Sequence, residues 1–351
     1  MKKTLKRIVL FCGAILLILL IALGVLFQRE LRSLTSLKRL DAHPLYQMNY
    51  CGDYGFSDFL TQGASNDKEI ERFVTQRLLK GLEIDLNIAS AGCSAFSASN
   101  EKGERIFARN FDFDYAPALL LKTNPTDGYA ALSIVNLAFA GYGEGNLPDD
   151  GLINRFLTLA GPYLPFDGVN EKGVAMALLA VPHAEPPQEP GRVMLNTTTA
   201  IRLVLDRAES VSQALVLLEG YNLYFSGDVE CHFLIADAGG DSAIVEFLDG
   251  KMCVIRAAES FQVVTNFIVY QGLNVGDGGN EFTRFDTIQT ELTNRQGIIG
   301  EEDALALLAR AKIPGRTQWS AVYNLSTGEV MICMAEHYDT VYRMSLRDGT
   351  K

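Results

Sequence analysis

The sequence predicts an α+β fold of antiparallel sheets covered by helices. Three observations carry that reading. Two Asn-Glu-Lys-Gly turns, at 100–103 and 170–173, each join a pair of strand-like runs, and a Gly in a short polar turn is a hairpin signal. Two helix-like stretches, 197–208 and 211–219, follow one another with a break only at Glu209 and Ser210. Strands do not alternate regularly with helices, which argues against a doubly wound parallel sheet.

The elements follow in order. Residues 28–45 begin polar and basic and end at His43 and Pro44, as a stalk or a membrane-proximal helix would. The next stretch, to Leu60, is rich in aromatic residues. Ser65 or Asn66 can cap a helix whose apolar face is Ile70, Phe73, Val74, Leu78, Leu79 and Leu82. Residues 94–99 and 105–110 form the first hairpin. Residues 129–138 make an apolar run suited to a central strand, and the second hairpin ends near Val181. Residues 231–236, 243–248, 252–255 and 262–265 read as a meander. Residues 286–292 and 301–310 read as helices, and 320–323, 330–334 and 340–344 as closing strands.

Composition sets the bounds. The chain has 351 residues, 48% of them hydrophobic and 21% charged, which is not the make-up of a disordered chain. Six Cys are too few for a disulfide-stapled scaffold of this length. The net charge of -11 argues against broad nucleic-acid binding.

The N-terminus predicts an uncleaved membrane anchor. Lys2, Lys3, Lys6 and Arg7 precede a run from Ile8 to Phe27 without a charged side chain, long enough to span a bilayer as a helix. The expectation is a single-pass membrane protein held through residues 8–27, with its catalytic part outside the cytoplasm. An extracytoplasmic location would permit a disulfide among Cys51, Cys231, Cys253 and Cys333, with no pairing deducible.

Several chemistries find no support. Of four His, none sits in H-E-x-x-H, and there is no C-x-x-C, so a metal site is not expected. There is no G-x-S-x-G elbow and no phosphate-binding glycine motif. His232 adjoins an apolar strand and reads as structural. No cofactor is expected.

The informative segment runs from Gly92 to Asp112. A hairpin returning its far end beside its beginning lets Cys93, Arg109 and Asp112 meet. Such a meeting has chemical use, because a nearby Arg favours the thiolate and a carboxylate orients a cation through charge-assisted bonds. Phe111, Phe113 and Tyr115 are candidates to line an apolar pocket. Gly92 would let the backbone before the thiol take a strained, accessible conformation.

These residues resemble the choloylglycine hydrolase family, which includes conjugated bile acid hydrolases and penicillin V acylases. The resemblance rests on Cys93 with Arg109-Asn110-Phe111-Asp112 sixteen residues on, and on Asp167-Gly168-Val169-Asn170-Glu171-Lys172-Gly173. It continues through Val264-Thr265-Asn266, Thr283-Arg284-Phe285 (with Thr for the family's Ser) and Trp319-Ser320-Ala321-Val322-Tyr323. It implies an N-terminal-nucleophile hydrolase fold, a four-layer αββα core with antiparallel sheets. It also implies a hydrolase of linear carbon–nitrogen amide bonds acting on small N-acyl compounds. An acyltransferase using the same acyl-enzyme, or a catalytically silent scaffold, are the alternatives.

In the roles so implied, Cys93 is the nucleophile and its freed α-amine the base. Asp112 positions that amine, Arg109 holds the nucleophile region, Asn266 supplies an oxyanion donor, and Arg284 supports the polar network. One position departs from the pattern: Ala180 stands where bile acid hydrolases carry an Asn that contributes to the oxyanion site. The backbone amide of Ser94 is a candidate donor in its place. The 65 residues between Phe27 and Cys93 resemble the longer precursors of acid ceramidase and the penicillin-pathway acyltransferase, which cut themselves before Cys. The expected organisation is a signal-anchor or signal segment at 1–27, a linker and pro-segment at 28–92, and an N-terminal-nucleophile catalytic domain at 93–351.

Overall fold

The structure is a computed structural model. It describes residues 10–14, 17, 24–25, 27–86 and 92–347. Helix α1 (Gln28–Ser36) leads into strands β1 (Lys38–Asp41) and β2 (Leu45–Asn49), then helices α2 (Phe56–Gln62) and α3 (Asp67–Arg77). Strands β3 (Gly92–Ser99), β4 (Arg105–Asp112), β5 (Ala118–Thr123) and β6 (Ala131–Asn136) precede a short helix α4 (Leu152–Leu157). Then come β7 (Pro165–Asn170), β8 (Val174–Ala180), β9 (Met194–Asn196), α5 (Thr197–Arg207), α6 (Val211–Glu219) and β10 (Asn222–Tyr224). The meander is β11 (Cys231–Asp237), β12 (Ser242–Leu248), β13 (Lys251–Arg256) and β14 (Gln262–Val264), followed by the short β15 (Phe267–Ile268) and β16 (Val275–Gly276). Helices α7 (Glu281–Asn294) and α8 (Glu301–Arg310) and strands β17 (Thr317–Asn324), β18 (Glu329–Met334) and β19 (Tyr342–Ser345) complete it.

Two large sheets face each other. One has the order β1-β2-β5-β6-β7-β8-β11-β12-β13, the other β14-β3-β4-β17-β18-β19. Within them the described pairs are antiparallel, apart from β2 beside β5. Helix α5 packs on β7 and β8, with α6 beside it, while α7 and α8 cover β3, β4 and β17. Helix, sheet, sheet, helix is the expected αββα order. Alternation along the strands builds it: Cys93, Ala95, Phe107 and Phe111 join the core between the sheets, whereas Phe96, Ala98, Ile106 and Ala108 pack with Ile288, Leu292, Leu305 and Leu308 of the helices.

Local signals explain most boundaries. The Asn66 side chain accepts from Glu69 N and starts α3, as the capping pattern predicts. The helix stops at Arg77, so Leu82 stays outside it. Helix α7 begins five residues before the expected 286 and takes in Arg284. The central apolar run is a strand only to Asn136, whose side chain caps a 3-10 turn.

The membrane expectation is corrected. Among the described residues no helix is long and apolar enough to cross a membrane. Helix α1 has nine residues and carries Arg29, Glu30 and Arg32; at about 1.5 Å per residue it reaches less than half of a ~30 Å hydrocarbon core. Most of the 8–27 run lies outside the described residues. The assignment as a single-pass membrane protein held through that run is therefore withdrawn. All six cysteines are free.

Candidate active site

The β3–β4 hairpin sets the site. Its register opposes Gly92 to Asp112, Cys93 to Phe111 and Ala95 to Arg109. Opposed residues share a face, so Cys93 and Arg109 point between the sheets while Asp112 points toward α7. Arg109 Nη2 lies 2.9 Å from Cys93 Sγ. The same guanidinium is held by Asp167 of β7, Nη1 to Oδ2 at 2.8 Å, with both side chains fully buried. The Tyr323 hydroxyl donates to the other oxygen of Asp167.

Asp112 reaches the nucleophile from the other face. Its carboxylate accepts from Thr317 Oγ1 at 2.5 Å and pairs with Arg284 Nη1 at 3.3 Å. Arg284 also donates to the Cys93 carbonyl at 2.5 Å, and through Nη2 to Asn266 Oδ1 at 2.7 Å. Asn266 Oδ1 accepts from the Cys93 backbone nitrogen at 2.7 Å, and Nδ2 donates to the Ala180 carbonyl at 2.7 Å. All five residues singled out in the sequence, Cys93, Arg109, Asp112, Asn266 and Arg284, thus sit in one network, buried except for the half-buried Asn266.

The electrostatics run against a free thiolate in this state. Burial pushes the Cys93 thiol up to about 11; Arg109 and Arg284 oppose that shift without overcoming it, and Asp112 adds to it. Burial also raises Asp112, against Arg284 and Thr317. For Arg109 burial works against the charge, but Cys93 and Asp167 hold its pKa above the ordinary value. The 2.8 Å contact with Asp167, which also accepts from Tyr323, keeps that pair closed. Arg109 favours the thiolate, as expected of a neighbouring guanidinium, but a fully buried sulfur loses more hydration than that charge restores.

Gly92 has a different reason from the one expected. It lies in a strand with no left-handed φ. A Cβ there would stand 3.2 Å from Asp112 Cβ and 3.1 Å from Ile313 Cδ1. Close approach, rather than backbone strain, favours Gly here.

Ala180 contributes main chain where a side chain is missing. Val181 N donates to Glu230 O, which makes the Ala180–Cys231 pair next to it a non-hydrogen-bonded one. The Ala180 amide and carbonyl therefore point away from β11, and the carbonyl meets Asn266. Phe111 stacks on Trp319 at 4.1 Å and meets Phe166 edge-on at 5.5 Å; it is aromatic core beneath the nucleophile, and the half-buried Phe113 stacks at its rim.

Sequence reasoning missed Asp167 as a partner of Arg109, and Thr317 as a partner of Asp112. A charged residue inside the short apolar strand β7 was the available signal, since a buried carboxylate needs a partner. Among the described residues no group of three or more His, Cys, Asp or Glu could hold a metal ion.

A layered αββα core with a cysteine at the head of an inner strand defines an N-terminal-nucleophile hydrolase fold. The profile of the linear amide C-N hydrolases, choloylglycine hydrolase family, matches residues 93–276, and the chain belongs to that family. A penicillin V acylase of Pectobacterium atrosepticum is 34% identical over 114 residues, which cover 28% of this chain and 29% of that protein; the aligned stretch thus spans less than a third of the relative. Two structures of conjugated bile acid hydrolase from Clostridium perfringens, a mutant and a variant, superpose with TM-scores of 0.50 and 0.51. They share 17% and 16% identity and cover 72% of this chain and 92% of theirs. At that identity the likeness concerns the fold.

Proposed function

We propose that the protein hydrolyses linear amide bonds of small N-acyl compounds through an acyl-thioester on Cys93. One observation carries the reading: Arg109, Asn266 and Arg284 converge on the thiol, the nitrogen and the carbonyl of the same cysteine. Family membership and the αββα fold support it.

The uncut chain must first be converted. The Cys93 nitrogen is a peptide nitrogen, whose lone pair is delocalised and cannot take a proton. Cys93 Sγ adds to the Gly92 carbonyl carbon, the C–N bond breaks, and a thioester to Gly92 forms with a free amine on Cys93. Water then cleaves that thioester and leaves the Gly92 carboxylate. The new amine titrates near 8, so it can take the thiol proton at neutral pH. Asn266 Oδ1, already 2.7 Å from this nitrogen, accepts from it, and Asp112 with Arg284 fixes the carbonyl side.

Turnover repeats the chemistry on substrate. The thiolate attacks the acyl carbonyl, the amine leaves with a proton from the Cys93 amine, and water releases the acid. An Asn side-chain amide has two N–H groups. One is used on the Ala180 carbonyl, and the other is available to the oxyanion, as is the Ala180 backbone amide.

Intact mass and N-terminal sequencing of wild type beside Cys93→Ala test this, with turnover measured on penicillin V, conjugated bile salts, N-acyl amino acids and fatty acyl amides. A new chain starting at Cys93 in wild type, an uncut mutant, and release of an acyl acid by wild type alone are expected. A fully active wild type with residues 92 and 93 still joined would refute the mechanism.

A further inference from the structure

The structure holds a second buried polar group, next to the site but absent from the mechanism. His232 of β11 and Glu246 of β12 have side chains 1% and 2% exposed, with Nδ1 to Oε1 at 3.1 Å. Their remaining bonds all go to one stretch of main chain. His232 Nε2 lies 2.9 Å from the Thr265 carbonyl. Glu246 Oε1 accepts from Val269 N and Oε2 from Tyr270 N, both at 2.9 Å. The segment so gripped at both ends is Thr265–Tyr270, and Asn266 is in it.

We propose that His232 and Glu246 are positioning residues that hold the Asn266 side chain on the nucleophile. The proposal rests on the amidohydrolase reading of Cys93. A carbonyl can only accept, so His232 Nε2 is the donor to Thr265. That carbonyl shares a peptide plane with the Asn266 nitrogen, and holding its oxygen fixes the plane from which Asn266 departs. The Glu246 carboxylate fixes the exit of the segment three and four residues later. Thr265 Oγ1 adds a bond to the Glu281 carbonyl at 2.9 Å, which ties the same plane to the start of α7 and so to Arg284. Asn266 meets Cys93 N, Arg284 and Ala180 O at 2.7 Å each, distances that leave little room for displacement.

Stability alone is a poor reason for the pair. Burying two ionisable groups costs hydration, and apolar residues of similar volume often serve stability as well or better. What apolar residues cannot do is hold a carbonyl and two amides of one loop in fixed places.

The test uses His232→Leu, His232→Gln, Glu246→Leu and Glu246→Gln in the full chain. Kinetics are normalised to active Cys93 counted with a thiol-directed acyl probe. The Leu variants are expected to lower kcat about tenfold to a hundredfold with KM little changed, the scale of a misplaced catalytic group. His232→Gln, whose amide can still donate to Thr265, should recover part of the loss. In an Asn266→Ala background the His232→Leu change should add little, because its effect runs through a side chain already removed. Full additivity there, or a loss confined to thermal stability with unchanged kcat per titrated site, would overturn the proposal. If the Leu variants do not fold, the two Gln variants carry the same comparison. Amide hydrogen exchange at residues 266–270 is a readout independent of turnover: faster exchange in the variants is expected, and unchanged exchange counts against the brace. A wild type without turnover on any amide would instead sink the amidohydrolase reading.

Discussion

At the scale of the residue, burial disfavours the thiolate of Cys93. Its folded value of about 11 lies above the ordinary 9.0, burial being the main cause. A raised value means the folded chain holds the proton more tightly. Its stabilising contribution is present below pH 9 and is lost as pH rises through about 11. In the uncut chain, Cys93 should react slowly with iodoacetamide up to about pH 9 and faster toward pH 11; an apparent thiol pKa below 8 would contradict this. Asn266→Ala should lower kcat of the matured enzyme about a hundredfold, as removal of one oxyanion donor does, measured per titrated thiol. Asp167 makes a stability claim instead. Asp167→Asn leaves the Arg109 guanidinium buried without its counter-charge and should cost about 3 kcal/mol in urea unfolding, against about 1 kcal/mol for Tyr323→Phe, which removes one hydrogen bond. Equal losses for the two would show that the ion pair adds nothing.

At the scale of the element, the β3–β4 hairpin was legible because its turn residues and its spacing are local. Its two faces were less so. Cys93, Arg109 and Asp112 read as one meeting point, but alternation sends Asp112 toward α7, and Arg284 and the Cys93 backbone connect it to the thiol side. Strand β5 went unread because Ala118-Leu-Leu-Leu is a continuous apolar run, which has no period to separate strand from helix. Strand β2 went unread because what makes it a strand is its parallel pairing with β5, about seventy residues later. Close packing between elements is equally invisible in sequence. Gly168 of β7 sits where a Cβ would be 2.7 Å from the Leu132 carbonyl and 2.9 Å from Leu205 Cδ1 of α5. Gly168→Ala must push α5 off the sheet or bend β6, and should cost about 1–3 kcal/mol in denaturant unfolding. Gly103→Ala, in open space but at φ +78°, should cost about 1 kcal/mol from its left-handed backbone alone. If Gly103→Ala were the more damaging of the two, the packing argument for Gly168 would fail.

At the scale of the whole molecule, the segment before Cys93 is built into the fold it precedes. The sequence showed that residues 46–82 have apolar surface to bury, but it could not show where, since their partners lie far along the chain. Strand β2 lies directly against β5 in the nine-stranded sheet, with β1 outside it. Tyr54 donates to Asp206 of α5, which Arg202 also engages, and all three are buried. Phe56 and Phe59 pack with Tyr163 at 5.9 and 5.4 Å, and Arg155 of α4 donates to the Leu34 and Leu37 carbonyls. Cutting the chain between Gly92 and Cys93 breaks none of these contacts. Loss of the upstream piece would uncover the edge of β5, an apolar strand with unpaired backbone groups and therefore an aggregation site. If the chain is cut before Cys93 as proposed, the two pieces should then co-elute as one species in native size-exclusion chromatography and separate only in denaturant. Tyr54→Phe removes one buried bond to Asp206 and should lower the denaturant midpoint of that separation without preventing co-elution. An upstream piece that dissociates from a piece beginning at Cys93, leaving it monodisperse and active, would show that the first strands of the sheet are dispensable once the thiol is free.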